Sequence, residues 1–294
     1  MITIDGSIGE GGGQIVRTSL GLSLVTGQPV RIKNVRAGRR KPGLMRQHLT
    51  ALNAAVVAGQ AGVMGNTVGS REVTFTPNGT TPGSYRFSVG SAGSCSLVLQ
   101  TVLPALLLAD APSTVVLEGG THNSLAPPFD FIRGAFLDFL AKMGAKIDAR
   151  LERFGFFPAG GGRMVVSIQP LESLKQVDCI ERGQVKKMSA CARVSSLREN
   201  IAHRELKVIK ERLGICRENL EVEDVTRSRG PGNILTVKVV SEHITEVFTG
   251  FGMRGVAAEK VAGRTADQVN EYIDSGAPVG KYLADQILIP MALA

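Results

Sequence analysis

The feature that most constrains this chain is an order of elements that occurs twice. Met1 to Ile4 reads as a short strand, Gly9-Glu10-Gly11-Gly12-Gly13-Gln14 as a glycine-rich loop, Ile15 to Val25 as an apolar helix and Val30 to Val35 as a strand. A second helix, Leu44 to Ala58, follows, with Pro42 expected near its first turn, where a missing N–H is tolerated. Val73 to Phe75 and Tyr85 to Val89 are expected to pair as a hairpin around the turn signal Asn78-Gly79. The order then restarts at an offset of roughly 83 residues, a period that fits a duplicated α/β unit and not a short-repeat solenoid. Gly90-Ser91-Ala92-Gly93-Ser94 stands for the first glycine cluster, Cys95 to Ala109 for the first helix and Thr114 to Leu117 for the strand. Ala126-Pro127-Pro128 opens the second helix, about Phe131 to Met143, and Met164 to Ile168 closes the unit.

A third start lies near the end. Gln100 precedes Pro104 inside one apolar helix as Gln286 precedes Pro290 inside another. Helix-interior proline costs on the order of 3 kcal/mol, so its recurrence at one place points to a shared kink or a shared helix start. The third copy is expected to stop after its first helix. Between the second and third copies the sequence is richer in charge and lacks glycine clusters. Strands are expected at Lys187 to Val194, Leu220 to Thr226, Ile234 to Val240 and Thr245 to Gly250, with helices at Leu197 to Leu213 and Val256 to Tyr272. The fold class is therefore α+β. Residues 1–183 form a large domain of repeated units, 184–275 a smaller inserted α+β domain, and 276–294 the start of a truncated third unit.

With 294 residues, 43 % of them apolar, the chain can bury a full core. A net charge of +8 and a pI near 9.5 suit an acidic partner such as nucleic acid or a nucleotide. Four dispersed cysteines with no C-x-x-C pair read as buried thiols of a reduced, cytosolic protein. The N-terminus has no signal-peptide pattern, and the longest apolar run, Leu97 to Ala109, is too short to span a bilayer.

The charge is concentrated. Arg31 to His48, RIKNVRAGRRKPGLMRQH, holds seven Lys or Arg and no acid, and runs into a new apolar helix. Such a loop offers charge, bidentate donors and helix N–H groups together, which phosphate recognition needs. The glycine loop GEGGGQ is a phosphate cradle in outline, yet it is neither G-x-G-x-x-G nor a P-loop, so tight helix–strand packing stays open beside that reading. Its acid, Glu10, could hold magnesium shared with a phosphate or pair with an arginine. Arg17, Gln100 and Gln286 occupy matching places in the three first helices and need partners when buried. Of the histidines, His48 ends the basic run, while His122, His203 and His243 read as loop or surface residues. No Ser-His-Asp set and no paired metal-ligand spacing stands out.

Seven collinear blocks, GEGGGQIVR, RAGRRKPGLMRQHL, GSAGSCSLVLQTVLPALLLAD, APPFDFIR, GFFPAGGG, GPGN and YLADQILIPMALA, resemble the RNA 3′-terminal phosphate cyclases over essentially the whole chain. The resemblance implies three βαβαββ units, each similar to the C-terminal domain of a translation initiation factor, and a smaller inserted domain. It implies a magnesium-requiring, ligase-type RNA-processing enzyme of the cytoplasm that binds ATP and an RNA with a 3′-phosphate end. A histidine takes AMP from ATP, the AMP passes to the RNA 3′-phosphate, and the 2′-OH displaces it to leave a 2′,3′-cyclic phosphate.

Residue by residue, Glu10 matches the metal-binding acid. Arg17, Arg36, Arg39, Gln47 and His48 match the polar groups around the phosphates, and Gln100 matches a nucleotide contact. Pro127, Phe131 and Tyr282 match residues packing on adenine, with Leu283, Ala284, Asp285 and Gln286 completing the nucleotide site. The family's nucleophilic histidine lies in a glycine-rich segment beyond the YLADQ helix, and the sequence stops at Ala294 before it. The chain as it stands is accordingly expected not to form the protein–AMP intermediate, and His48 matches a different family position. Two alternatives follow from the same resemblance. One is an enolpyruvyl transferase, which has six such units and lacks the YLADQ block. The other is a non-catalytic cyclase-like ribosome-assembly scaffold, which would lose contacts such as Tyr282 and Asp285.

Overall fold

The computed structural model describes residues 1–294, which group into two compact units. The first comprises residues 1–120, 145–152 and 163–174, and the second residues 121–144, 153–162 and 175–294.

The first unit holds two four-stranded sheets of the same order. One runs β1 (Ile2–Asp5), β2 (Val30–Lys33), β4 (Val73–Thr76), β3 (Gly62–Met64) across the sheet; the other runs β5 (Ser84–Ser88), β6 (Ser113–Gly119), β8 (Gly162–Gln169), β7 (Lys146–Arg153). In each, the first two strands are parallel, with Ile2 opposite Val30 and Ser84 opposite Thr114. Helices α1 (Gly13–Thr26), α2 (Arg46–Ala58) and α3 (Cys95–Leu107) pack together. Strands β2 and β4 alternate buried and exposed residues, and their inward side chains Val30, Ile32, Val73 and Phe75 meet Val16, Leu20 and Leu52 of α1 and α2.

Two sequence expectations change here. Val73 to Phe75 and Tyr85 to Val89 do not form a hairpin: β4 pairs with β2 and β3, whereas β5 pairs with β6 in the other sheet. The Asn78-Gly79 turn signal instead serves a crossing segment, tied to the end of α2 by Asn78 N–H to Gly59 O and Thr81 N–H to Ala58 O. Pro42 also lies outside the helix it was expected to open. Gly43, in a left-handed conformation, and the Leu44 N–H bond to Ser70 O hold the loop open until Met45 caps α2.

The second unit is built on a sheet ordered β10 (Leu220–Asp224), β9 (Val185–Ser195), β11 (Gly232–Ser241), β12 (Thr245–Phe251). Helices α6 (Asn200–Leu213) and α7 (Ala258–Ser275) cover one face, burying Ala190, Ala192, Val194, Leu235, Val237 and Val239. The period of two sends Lys187, Ser189, Cys191, Arg193, Thr236 and Lys238 to the other face, where they line a cavity of about 640 Å³. A helical segment closes that cavity: α4 (Phe129–Phe131), a π-helical turn (Ile132–Phe136) and α5 (Leu137–Lys142). The turn lets Gly134 face Val247 of β12, where a Cβ would come within 3.2 Å of a valine methyl. The last helix, α8 (Lys281–Leu293), repeats the register of α3, since each has glutamine five residues and proline nine residues after its first helical residue. No helix is long and apolar enough to cross a membrane.

Two carboxyls in this unit are buried without an ion-pair partner. Glu205 of α6 accepts the Asn233 side-chain amide at 2.9 Å, and Glu246 of β12 accepts the Gly280 N–H at 2.5 Å. Burial pushes both up from 4.5 to about 7, against the pull of those bonds and, for Glu205, of the Arg204 charge. Between about pH 4.5 and 7 the folded state therefore holds protons that the unfolded chain has lost, so stability falls as pH rises through this window. Each carboxyl contributes roughly 3 kcal/mol of that fall. Urea unfolding at pH 5 and pH 8 will show the loss, and Glu205→Gln and Glu246→Gln will each flatten it. An unchanged pH slope in both variants contradicts protonation.

Candidate active site

In the first unit the glycine loop and the basic run meet. The loop turns through positive φ at Gly9 and Gly11 and delivers the chain to α1, which starts at Gly13 behind Gly12 with no side-chain cap and no acid in its first turn. A helix start of that kind presents N–H groups and positive dipole to an anion. Three side chains converge on it. A Cβ on Gly12 would meet the Arg39 guanidinium at 2.8 Å, and a Cβ on Gly13 would strike the His48 ring and come within 3.0 Å of Arg17. These glycines are thus bare because cations and an imidazole occupy the space a side chain would take.

Glu10 and Arg39 pair at 2.6 Å on the surface of this cradle. The basic run is not acid-free in space, because Arg31 also pairs with Glu72 at 2.6 Å. Arg36 adopts φ +55° and gives one guanidinium nitrogen to the carbonyls of Lys41 and Gly43, at 2.7 and 2.8 Å, so it shapes the loop as well as charging it. Burial and the neighbouring Arg36 and Arg17 push His48 down to about 3, which leaves the ring neutral at pH 7. Its Nδ1 accepts the Met45 N–H at 3.3 Å, so Nε2 carries the proton and faces Gly13 as a neutral donor. Gln47 accepts the Ser94 N–H at 2.8 Å, binding the second glycine loop, and Gln100 lies half-buried in α3.

The remaining sequence-derived residues lie in the second unit. Tyr282 is exposed near the start of α8, with the Lys281 ammonium 5.6 Å from its ring centre. Asp285 accepts the Gln286 side-chain amide at 2.8 Å. Leu283 is fully buried and Ala284 half-buried. Phe131 is buried in α4, and Pro127 is half-buried in the loop before it. The start of α8 is fixed by the Glu246 bond to its capping residue Gly280. No group of three or more His, Cys, Asp or Glu converges to hold a metal, and Glu10, in the glycine loop, pairs with Arg39.

His122 lies in the connection between β6 and α4, as a loop residue would, but it is buried and not on the surface. It is 1 % exposed and stacks on Phe154 with ring centres 4.8 Å apart. Nε2–H donates to Asp130 at 2.9 Å, and the Thr121 hydroxyl, which accepts the Gly155 N–H, donates to Nδ1 at 2.8 Å. Asp130 in turn accepts from Arg193 at 3.0 Å, and Arg193 donates to Glu223 at 2.5 Å. Thr121 and Asp130 are near His122 in sequence, but Arg193 and Glu223 are distant and nothing in local spacing points to them. The cysteines also depart from expectation. All are free, but only Cys95 is buried, and Cys216 is exposed.

The two sheets of like order and the glycine loop crowded by Arg17, Arg39 and His48 define an α+β protein with a cationic helix start. The sequence profile described as RNA 3′-terminal phosphate cyclase matches residues 8–294. Proteins of that name from Koribacter versatilis, Ralstonia nicotianae and Pseudomonas fluorescens are 51, 50 and 48 % identical to it. The matches cover 100 % of this chain and 83, 84 and 85 % of those proteins. The chain belongs to the RNA 3′-terminal phosphate cyclase family.

Proposed function

We propose that this protein takes part in the ATP-dependent conversion of an RNA 3′-phosphate to a 2′,3′-cyclic phosphate. The observation that carries the reading is the uncapped start of α1, with Arg39, Arg17 and His48 crowded onto Gly12 and Gly13. In this reading a histidine nitrogen attacks the α-phosphorus of ATP and pyrophosphate leaves. A 3′-phosphate oxygen of the RNA then takes the AMP, freeing the histidine. The ribose 2′-oxygen finally attacks the 3′-phosphorus, and AMP leaves with the P–O bond electrons. In this reading His48 is a neutral donor and not the nucleophile: its Nδ1 accepts the Met45 N–H and its Nε2–H faces Gly13.

One cradle serves two phosphate substrates in turn, because both present tetrahedral anions to the same donors. Arg39 and Arg17 supply charge, and the His48 Nε2–H adds a bond without adding charge. A magnesium ion on Glu10 would neutralise phosphate oxygens, and one carboxylate suffices because this ion keeps most of its waters and phosphate ligands. Tyr282 and Pro127 offer apolar surface to the adenine, with Phe131 and Leu283 setting the helices beneath them. Gln100 in the first unit and Ala284, Asp285 and Gln286 in the second each match a nucleotide contact of the family. The free cysteines suit a reduced, cytoplasmic setting.

The test is end-specific binding. Arg39→Ala will weaken affinity for 3′-phosphorylated RNA about tenfold more than for the same RNA ending in 3′-OH, since a charge-assisted phosphate contact is removed. Equal losses for both ends mean that Arg39 only grips the backbone. A wild-type chain with no ATP affinity and no preference for 3′-phosphate ends favours the scaffold reading instead.

A further inference from the structure

Two of the seven sequence blocks, GFFPAGGG and GPGN, have no part in the phosphate chemistry, yet the fold brings them together. Residues 155–162 and 226–232 lie side by side in the second unit. Phe154 N–H donates to Arg227 O at 3.1 Å, and Gly230 packs so closely on Ala159 that a Cβ would meet its methyl at 2.6 Å. The stem of Arg229 lies over Gly161, Gly232 lies on the Phe156 ring, and Arg153 donates to Gly161 O. The interlock leaves no room for side chains at these glycines, so both loops are held in one arrangement. Phe154, Phe156 and His122 stack beneath it at centroid distances of 4.8 to 6.0 Å.

What this rigid base displays is unusual for a monomer surface. Phe157 is 76 % exposed, held out by a framework whose other aromatics face inward. Arg227 and Arg229, on the loop packed against this turn at Ala159 and Gly161, are exposed as well. The Gly252 N–H bond to Asn233 O brings the end of β12 to the same end of the sheet, where Met253 and Arg254 are also exposed. Neither loop contains an acid.

We infer that these two loops form a binding site for single-stranded RNA, in which a base stacks on Phe157 while Arg227 and Arg229 hold the flanking phosphates. An exposed ring among guanidinium groups is the combination that binds single strands without sequence preference: every base has a face to stack, and every nucleotide brings a negative charge. The glycine interlock keeps the ring from collapsing onto the protein, so little ordering is lost on binding. The site deepens the RNA reading above by adding a contact to nucleotides other than the reacting end.

The experiment measures fluorescence anisotropy of the full chain with two 3′-phosphorylated oligoribonucleotides, a dinucleotide and an unstructured dodecamer. Phe157→Ala will weaken dodecamer binding about tenfold and Phe157→Tyr will restore it, the span expected for loss of one stacked base. Arg227→Gln with Arg229→Gln will weaken the dodecamer similarly and lower its salt dependence by about one to two phosphate contacts. Dinucleotide affinity will not change in any of them, and pairing the dodecamer with its complement will abolish the differences. Unchanged dodecamer affinity in the variants, or an equal loss for the dinucleotide, overturns the site while leaving the end-binding reading intact. A wild-type chain that binds neither oligonucleotide overturns both.

Discussion

Replacing Gly13 with alanine will remove phosphate binding from this protein. The added methyl would fall on the His48 ring and within 3.0 Å of the Arg17 guanidinium. His48 cannot swing aside without giving up the Met45 N–H, which fixes its tautomer at the start of α2. The ring and α1 must therefore separate, and the donors aimed at one anion diverge by a substantial fraction of an ångström. Displacement on that scale costs on the order of 100-fold at a preorganised site, and the overpacking destabilises the fold by about 1–3 kcal/mol. Titration calorimetry with magnesium and ATP, and with 3′-phosphorylated RNA, reads the first effect; urea unfolding reads the second. Gly9→Asn is the contrast, because Gly9 has open space and asparagine tolerates its φ of +65°. Wild-type affinity in the Gly13 variant would sink the cradle.

Asp130→Ala will have the largest effect on stability. Asp130 joins His122 to Arg193, and removing it strands a half-buried guanidinium that keeps only Glu223. Breaking a buried pair from one side costs about 3–5 kcal/mol. The pH dependence carries a second signature. Burial pushes the Asp130 carboxyl up, but the His122 hydrogen bond and the Arg193 charge outweigh it and hold the group at about 2. A depressed carboxyl stabilises the fold above its unfolded value of 3.8 and loses that contribution as pH falls toward 2. Asp130→Ala will remove its share of this acid limb, leaving that of the depressed Glu259 and the Glu205 and Glu246 limb above pH 4.5 in place. With the opposing limbs together, the wild-type protein will be most stable near pH 4 to 5, and a maximum at pH 8 would contradict both assignments.

The sequence made the element order legible because glycine clusters, prolines and apolar runs recur in step. The Gln–Pro spacing was enough to align α3 with α8 to the residue. Strands β3 and β7 carry no such signal. The first is three residues of Gly-Val-Met, and the second carries charge at most of its outward positions, as an edge strand does. The false hairpin has a similar origin, since a local turn signal says nothing about which sheet each flanking strand joins. In the candidate site, the meeting of Glu10 with Arg39 follows from adjoining loops and could be foreseen as an alternative. The His122 network could not, because its members come from a loop, a helix and two strands of a different region. Long-range partners leave no mark in local spacing, and glycines packed on side chains look in sequence like glycines that merely turn.

The two glycine loops sit at corresponding places before α1 and α3, but their chemistry has parted. At α3 the Ser94 side chain accepts the Leu97 N–H, Gln47 takes the Ser94 N–H, and the Gly120 carbonyl takes the Cys95 N–H. At α1 the capping residue is Gly12, which has no side chain to offer. One copy thus closes its helix start with a side-chain cap, while the other starts its helix without one. In a fold with two like sheets, the choice of a single capping residue decides whether a helix start is closed by its own side chain or left accessible to approaching groups.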